Sequence, residues 1–125
     1  MLSFAQTINV LNIPDWSPAN PFPGVATNRS TSTDYGYHLN GTGSANMSSA
    51  KAKLTNLANF GASGIVNRQL NITDDFGTKG SITNISQLAS YDIIYIGLYA
   101  RVDATAAFTP AEITILLSWS LQAGK

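Results

Sequence analysis

The chain has 125 residues, of which 44% are hydrophobic and only 11% are charged. Seven Lys and Arg residues balance seven Asp and Glu residues, so the formal net charge is zero at pH 7. This length allows one domain with a buried core, and the composition excludes intrinsic disorder. The lack of a basic excess argues against a nucleic-acid-binding module. No apolar run reaches about 18 residues, which a membrane-spanning helix needs.

Neutral polar residues take the place of charges on this chain. Asn, Ser and Thr are abundant, as is common in exported and cell-surface proteins, whereas average domains are about 25% charged. The absence of cysteine excludes disulfides, Cys-ligated metals and a Cys nucleophile within these residues. The single histidine, His38, cannot form a multi-His metal site. We therefore predict no metal and no cofactor.

The first residues indicate export. Ser3-Phe4-Ala5 before Gln6 resembles the end of a signal peptide, with small residues at the −3 and −1 positions of the cut. We therefore predict a signal-peptide remnant at 1–5, a single α/β domain at 6–125, and a secreted or cell-surface location, with the periplasm as an alternative. The competing interpretation is an ordinary apolar N-terminus that leads into the first strand.

The first half of the chain predicts a strand, a long loop and a helix. Thr7–Ile13 is rich in β-branched and apolar residues, which favours a central strand of a parallel sheet. Residues 14–46 hold all the prolines but one and form a loop too long for a simple connection, so it is functional or partly structured. Ser48–Phe60 has helical periodicity, with Ser48 as its cap and Gly61 as the residue that follows its end.

The middle of the chain predicts a second strand and a short helix. Gly64–Leu70 has strand character, and a turn-rich stretch follows at 74–80. Ile82–Ala89 predicts a short helix that buries Ile85 and Leu88.

The last third predicts a third strand and a well-capped helix. Tyr91–Gly97 is a compact apolar run closed by glycine. Thr109 and Glu112 form a capping box with Pro110 at the first helical position. The apolar residues that then follow the helical period to Gly124, and that we expect to pack on the sheet, are Ile113, Leu116, Leu117 and Leu121.

The predicted elements alternate between strand and helix. This alternation implies right-handed crossovers and a parallel sheet with helices on both faces. We predict an α/β three-layer sandwich of the flavodoxin-like or Rossmann-like class with strand order 2-1-3. Because the sequence stops on a helix, we expect it to be the N-terminal part of a larger domain. More of the same polypeptide, or a second copy, would then cover the open edge of the third strand.

Three segments carry a family resemblance: INVLNIPDW at 8–16, LASYDIIYIGLY at 88–99 and FTPAEITILLSWSLQAGK at 108–125. They resemble the flavodoxin-like domains of class I glutamine amidotransferases and trehalose-utilisation-type proteins. The Asn, Ser and Thr usage is similar to that of exported Bacteroidota proteins. The amidotransferase members of the family carry a nucleophilic Cys after a later strand, with a His and a Glu further on. None of the three maps onto these residues.

Ligands of open α/β sheets bind beyond the carboxyl ends of the strands. On the predicted strand ends, this rule selects seven candidate ligand-binding residues and no catalytic residue. The alternative is structural: Trp16 would cover the sheet edge, and the two arginines would be solvated or salt-bridged. The candidates are Asp15, Trp16, Asn67, Arg68, Tyr99, Arg101 and Asp103.

Two other motifs are weak signals. Residues 41–46 begin like a phosphate-binding loop but lack the third glycine and do not directly follow a strand, so an ordinary loop is favoured. Asp74-Asp75 lacks the spaced acidic pattern of a calcium site, so a turn is favoured there.

Together these features favour a non-catalytic, secreted or cell-surface interaction domain, the front of a larger adhesin-like or filament-forming protein. Its partner would be a protein or a carbohydrate, with no nucleic acid and no transmembrane segment. The alternative is a fragment of an amidotransferase-like hydrolase whose nucleophile lies beyond residue 125.

Overall fold

The structure is a computed structural model that describes residues 6–13, 39, 45–96, 108–122 and 124. Strands and helices alternate along the described chain, as predicted. They are β1 (Gln6–Ile13), α1 (Ala45–Thr55), β2 (Arg68–Asp74), a 3-10 helix (Ile85–Leu88), β3 (Ile93–Ile96) and α2 (Pro110–Ser120).

The three strands form a parallel sheet with β1 in the centre and the order β2-β1-β3. In the register, Val10 of β1 lies beside Ile72 on one side and beside Ile93 on the other. The predicted fold class and strand order are therefore confirmed. The continuous apolar character of β1 follows from its central position, because a central strand is covered by helices on both faces.

Alternate residues of β1 serve the two faces of the sheet. Leu11 and Ile13 belong to the hydrophobic core cluster together with Trp119 of α2, so this is the α2 face. Val10 and Asn12 point to the opposite face. This is the α1 face, because Lys51 of α1 forms an ion pair with Asp74, which lies beside Asn12 in the register. Within the described chain the molecule thus has helices on both sides of one sheet.

The core lies between the sheet and α2. Its buried members come from β1, the 3-10 helix, α2 and the segments that precede the two helices, and half-buried apolar residues surround them. The buried members are Leu11, Ile13, Ile82, Leu88, Phe108 and Trp119.

The α1 helix begins and ends earlier than its sequence predicts. It starts at Ala45, so Ser48 is not its cap, and it ends at Thr55 rather than at Phe60. The side chain of Asn56 explains the end, because its Oδ1 accepts a hydrogen bond from the amide of Ala58 at 2.9 Å. Asparagine competes in this way with helical hydrogen bonds.

The second strand lies four residues later than predicted, at 68–74 instead of 64–70. A compact turn occupies the segment before it, where the amide of Gly61 donates to the carbonyl of Val66 at 3.0 Å. A Cβ atom at Gly61 would lie 2.6 Å from the carbonyl oxygen of Leu57. Gly61 therefore permits a close backbone approach inside this turn. The sequence predicts a different role for it, as the residue that follows the end of the helix.

The short helix and the third strand are present but shorter than predicted: the helix covers 85–88 instead of 82–89, and β3 begins at Ile93 instead of Tyr91. Asn84 and Gln87 form a capping box at the start of the 3-10 helix. Leu88 is fully buried, and Ile85 packs against the core. Among the described helices, none combines the length and the apolar character needed to cross a bilayer.

The capping box of α2 is confirmed, but its predicted buried face is only half right. Ile113 and Leu116 pack against the core, whereas Leu117 is 61% exposed and Leu121 is 86% exposed. The buried stripe instead passes through Glu112 and Trp119, on an adjacent face of the helix. The sequence could not locate this face because α2 is apolar nearly all round, so periodicity alone does not orient it.

Candidate functional site

Most of the predicted ligand-binding residues lie outside the described chain. These are Asp15 and Trp16 after β1, and Tyr99, Arg101 and Asp103 after β3. His38 and Gly41–Ser44 also lie outside it. Their proposed roles stay predictions.

Asn67 and Arg68 are candidates because the sequence predicts them near the carboxyl end of the second strand. In the structure they lie at the opposite end of that strand. Because β2 begins at Arg68, both residues are at its amino end, where ligands of parallel sheets do not bind. Both side chains are exposed, and the guanidinium of Arg68 donates to the carbonyl of Asn67 at 2.7 Å. The residue that ends β2 is Asp74.

A row of three polar side chains instead crosses the sheet at its carboxyl edge. In the register, Asn12 of β1 pairs with Asp74 of β2 on one side and with Tyr95 of β3 on the other. Register partners in a parallel sheet project to the same face, so all three belong to the α1 face. We name Asn12, Asp74, Tyr95 and Lys51 of α1 the edge cluster.

Asn12 is the buried member of the edge cluster, with 1% of its surface exposed. Its Nδ2 donates to Oδ1 of Asp74 at 2.6 Å, a short bond to a charged acceptor. Its Oδ1 accepts no hydrogen bond from any described residue. Burying an unsatisfied acceptor costs about 1–3 kcal/mol. Rotating the amide would place two oxygens together at 2.6 Å, so the present orientation is the favourable one.

Lys51 closes the edge cluster from the helix side. Its Nζ lies 3.7 Å from Oδ2 of Asp74, and the two side chains are 31% and 36% exposed. An exposed pair of this kind adds at most about 1 kcal/mol to stability. It does balance the aspartate charge, so the cluster offers acceptor and donor groups with no net charge.

Asp75 follows the edge cluster in the chain and acts on Tyr91 through its charge. The amide of Asp75 donates to the backbone carbonyl of Asn12 at 3.4 Å, which places the turn against the end of β1. Phe76 follows with a positive φ of 58°, and its amide donates to Oδ1 of Asp75 at 2.6 Å. Burial raises the pKa of Tyr91 above its ordinary value, and the negative charge of Asp75 raises it further.

An apolar groove of about 300 Å³ lies on the other face, between β3 and α2. Its floor is Ile94 and Ile96, and its walls include Phe108, Leu116 and Leu117. β3 is an edge strand of the described sheet. The groove therefore runs along a sheet edge and borders the core at Phe108 and Trp119.

The sequence reasoning missed the edge cluster for one reason, which is the position of β2. With the strand placed at 64–70, Asp74 belonged to a turn, and Asn12 was one polar residue in an apolar run. An asparagine near the end of a buried strand is the signal that could have revealed the site, because a buried polar group needs a partner. Within the described residues, no group of three or more His, Cys, Asp or Glu side chains is placed to hold a metal.

Comparison with known proteins adds no family. No protein-family model matches this chain, and neither a curated protein nor a solved structure matches it significantly.

Proposed function

We propose that this protein is a non-catalytic interaction domain of a secreted or cell-surface protein and that it binds an extended polypeptide segment along β3. The observation that carries the proposal is the apolar groove between β3 and α2. The low charge and the residues before Gln6 support the location. The amidotransferase-like alternative rests on the sequence resemblance alone.

The edge of β3 suits the addition of a strand. The amide of Asp92 donates to the carbonyl of Asn9 at 2.8 Å, toward β1. Successive backbone groups of a strand point to opposite sides. In the register, Ile93 and Tyr95 bond to β1, so the amide of Ile94 faces the outer edge. Main-chain hydrogen bonds along such an edge provide affinity, and alternate side chains provide selectivity.

Apolar surface flanks this edge on both faces of the sheet. Ile93, on the α1 face, is 46% exposed, and the groove lies on the α2 face with Leu117 at its rim. A segment that binds here would therefore have apolar side chains on both of its faces, as a buried parallel strand does. α2 contains one charged residue, Glu112, and it is fully buried. The described residues that line the groove thus carry no charge that would select an acidic or basic segment.

Two leucines with equal exposure allow a matched test. Leu117 lines the groove and is 61% exposed, whereas Leu57 lies in the turn after α1 and is 60% exposed. We expect displayed octapeptides with consecutive apolar residues to be enriched on the wild-type protein and on Leu57→Lys. Binding to Leu117→Lys should be at least tenfold weaker. Equal enrichment on the two variants, or no enrichment on the wild type, would overturn the proposal.

Sedimentation velocity identifies whether a second copy supplies the segment. If it does, the wild type and Leu57→Lys should dimerise reversibly, and Leu117→Lys should sediment as a 13.3 kDa monomer. A wild-type monomer that selects peptides would assign the groove to a different polypeptide.

A further inference from the structure

We propose that the edge cluster is a binding site for a neutral, hydroxyl-bearing ligand of the carbohydrate class, separate from the groove. Asn12 faces α1, whereas Ile94 and Ile96, which form the floor of the groove, share a face with Leu11 and Ile13. The inference therefore stands independently of the proposed interaction function.

The unsatisfied oxygen of Asn12 fixes the first requirement on the ligand. This atom is buried and has no donor among the described residues. The other end of the same amide is held by Asp74 at 2.6 Å, so the carbonyl cannot turn away from its position. A ligand group that binds here must donate a hydrogen bond.

The charges around Asn12 fix the second requirement. Lys51 and Asp74 already neutralise each other at 3.7 Å, so a cation would face the ammonium group and an anion would face the carboxylate. A hydroxyl meets both conditions, because it can donate to Oδ1 of Asn12 and accept from Nζ of Lys51. Sugars present several such groups together, and Asp74 offers a further acceptor for a neighbouring hydroxyl.

The position in the fold fits a ligand site. The cluster lies at the carboxyl edge of a parallel sheet, where open α/β folds bind their ligands. The side chains of Lys51 and Asp74 are about one-third exposed, so solvent reaches the rim of the cluster, while the Asn12 amide beneath it is buried. The third strand places Tyr95 beside Asn12 in the same row.

Two substitutions on β1 separate binding from folding. Asn12→Leu keeps the shape of the side chain but removes the unsatisfied oxygen. It also removes the bond to Asp74, so the two effects on stability oppose each other. A site that exists for a ligand should therefore lose binding while its Tm stays close to that of the wild type. Asn9→Leu is the matched control on the opposite face, where Oδ1 of Asn9 accepts from Asn71 at 3.2 Å. It should bind normally and have a slightly lower Tm.

The experiment is a titration followed by amide NMR with glucose, mannose, galactose and N-acetylglucosamine, each at millimolar concentration. At least one sugar should shift the side-chain amide signals of Asn12 saturably in the wild type. Asn9→Leu should respond to the same sugar, and Asn12→Leu should show at least tenfold weaker binding through its remaining backbone signals. Asp74→Asn provides the same test if Asn12→Leu does not fold, and it too should weaken binding.

Three outcomes would overturn the proposal. The first is no saturable response of the wild type to any of the sugars, which would mean that Oδ1 of Asn12 holds a buried water only. The second is a sugar response of Asn12→Leu that equals that of the wild type. If Asn12→Leu does not fold, the same outcome for Asp74→Asn counts instead. The third is a response to methylammonium chloride but to none of the sugars, which would assign a cationic ligand.

Discussion

Glu112 shows how one side chain can serve a helix end and the core at the same time. It is fully buried, its Oε2 accepts from the amide of Thr109 at 2.8 Å, and its Oε1 accepts from the amide of Ile82 at 3.2 Å. The first bond completes the capping box of α2, and the second holds the segment before the 3-10 helix against it. A residue that the sequence identifies as a cap is therefore also a tertiary contact.

We expect Glu112→Gln to lower the free energy of unfolding by about 1–3 kcal/mol, because the new amide group turns a donor toward one of the two backbone donors. Chemical denaturation measures this change. Gln87→Glu is the control, since Gln87 has the equivalent role in the exposed capping box of the 3-10 helix and keeps its accepting oxygen. Its cost should stay under about 1 kcal/mol. Equal costs for the two variants would contradict the tertiary role of Glu112.

The raised pKa of Tyr91 makes stability depend on alkaline pH. Because folding favours the neutral phenol, the contribution of Tyr91 is complete below the unfolded pKa near 10 and is lost as pH rises through the higher folded pKa. We expect the free energy of unfolding of Tyr91→Phe to fall less steeply than that of the wild type above pH 10. Asp75→Asn should reduce the difference between these two slopes only in part, because burial still raises the pKa of Tyr91. Parallel wild-type and Tyr91→Phe curves above pH 10 would contradict this prediction.

At the scale of elements, α2 is attached by a buried hydrogen bond as well as by apolar contacts. Nε1 of Trp119 donates to the carbonyl oxygen of Leu88 at 3.0 Å, which joins α2 to the 3-10 helix. The two elements therefore depend on each other for a polar contact inside the core.

We expect Trp119→Phe to destabilise the protein by about 2–4 kcal/mol, since it removes ring volume and the indole donor to the carbonyl of Leu88, which keeps only the amide of Tyr91. Leu121→Ala should change the stability by less than about 0.5 kcal/mol, because Leu121 is 86% exposed. Thermal and urea unfolding of both variants would measure the two effects. A larger effect of Leu121→Ala than of Trp119→Phe would instead support the buried helix face that the sequence periodicity predicts.

At the scale of the whole molecule, the sequence predicted the architecture better than it predicted the boundaries of elements. The apolar runs of β1 and β3 and the capping box of α2 were sufficient to identify these elements, because such signals are local and strong. The strand order then followed from the alternation of strands and helices and the topology of doubly wound folds. The placement of β2 failed, since Gly64–Val66 resembles strand sequence but is held in a turn by backbone contacts to Ala58 and Asn59. Such contacts are tertiary and leave no local pattern.

The same shift explains why the site was only partly predictable. The rule that ligands bind at carboxyl ends points to the edge of the sheet where the edge cluster lies. Applied to a strand displaced by four residues, it chose Arg68 at the amino end and passed over Asp74. The partnership of Asn12 with Asp74 joins residues 62 positions apart, and no motif in the sequence announces it.

The central position of β1 has a consequence for how the chain folds during synthesis. β1 emerges first, but its partner β2 lies 62 positions later and the contact of Asn9 with Asp92 spans 83. At about 5–20 residues per second, the ribosome completes these partners roughly 3–17 s after β1. Until β2 is complete, β1 has neither of its neighbours, and until β3 is complete it has only one. We therefore expect β1 to be the segment that chaperones hold and the one from which misassembly starts.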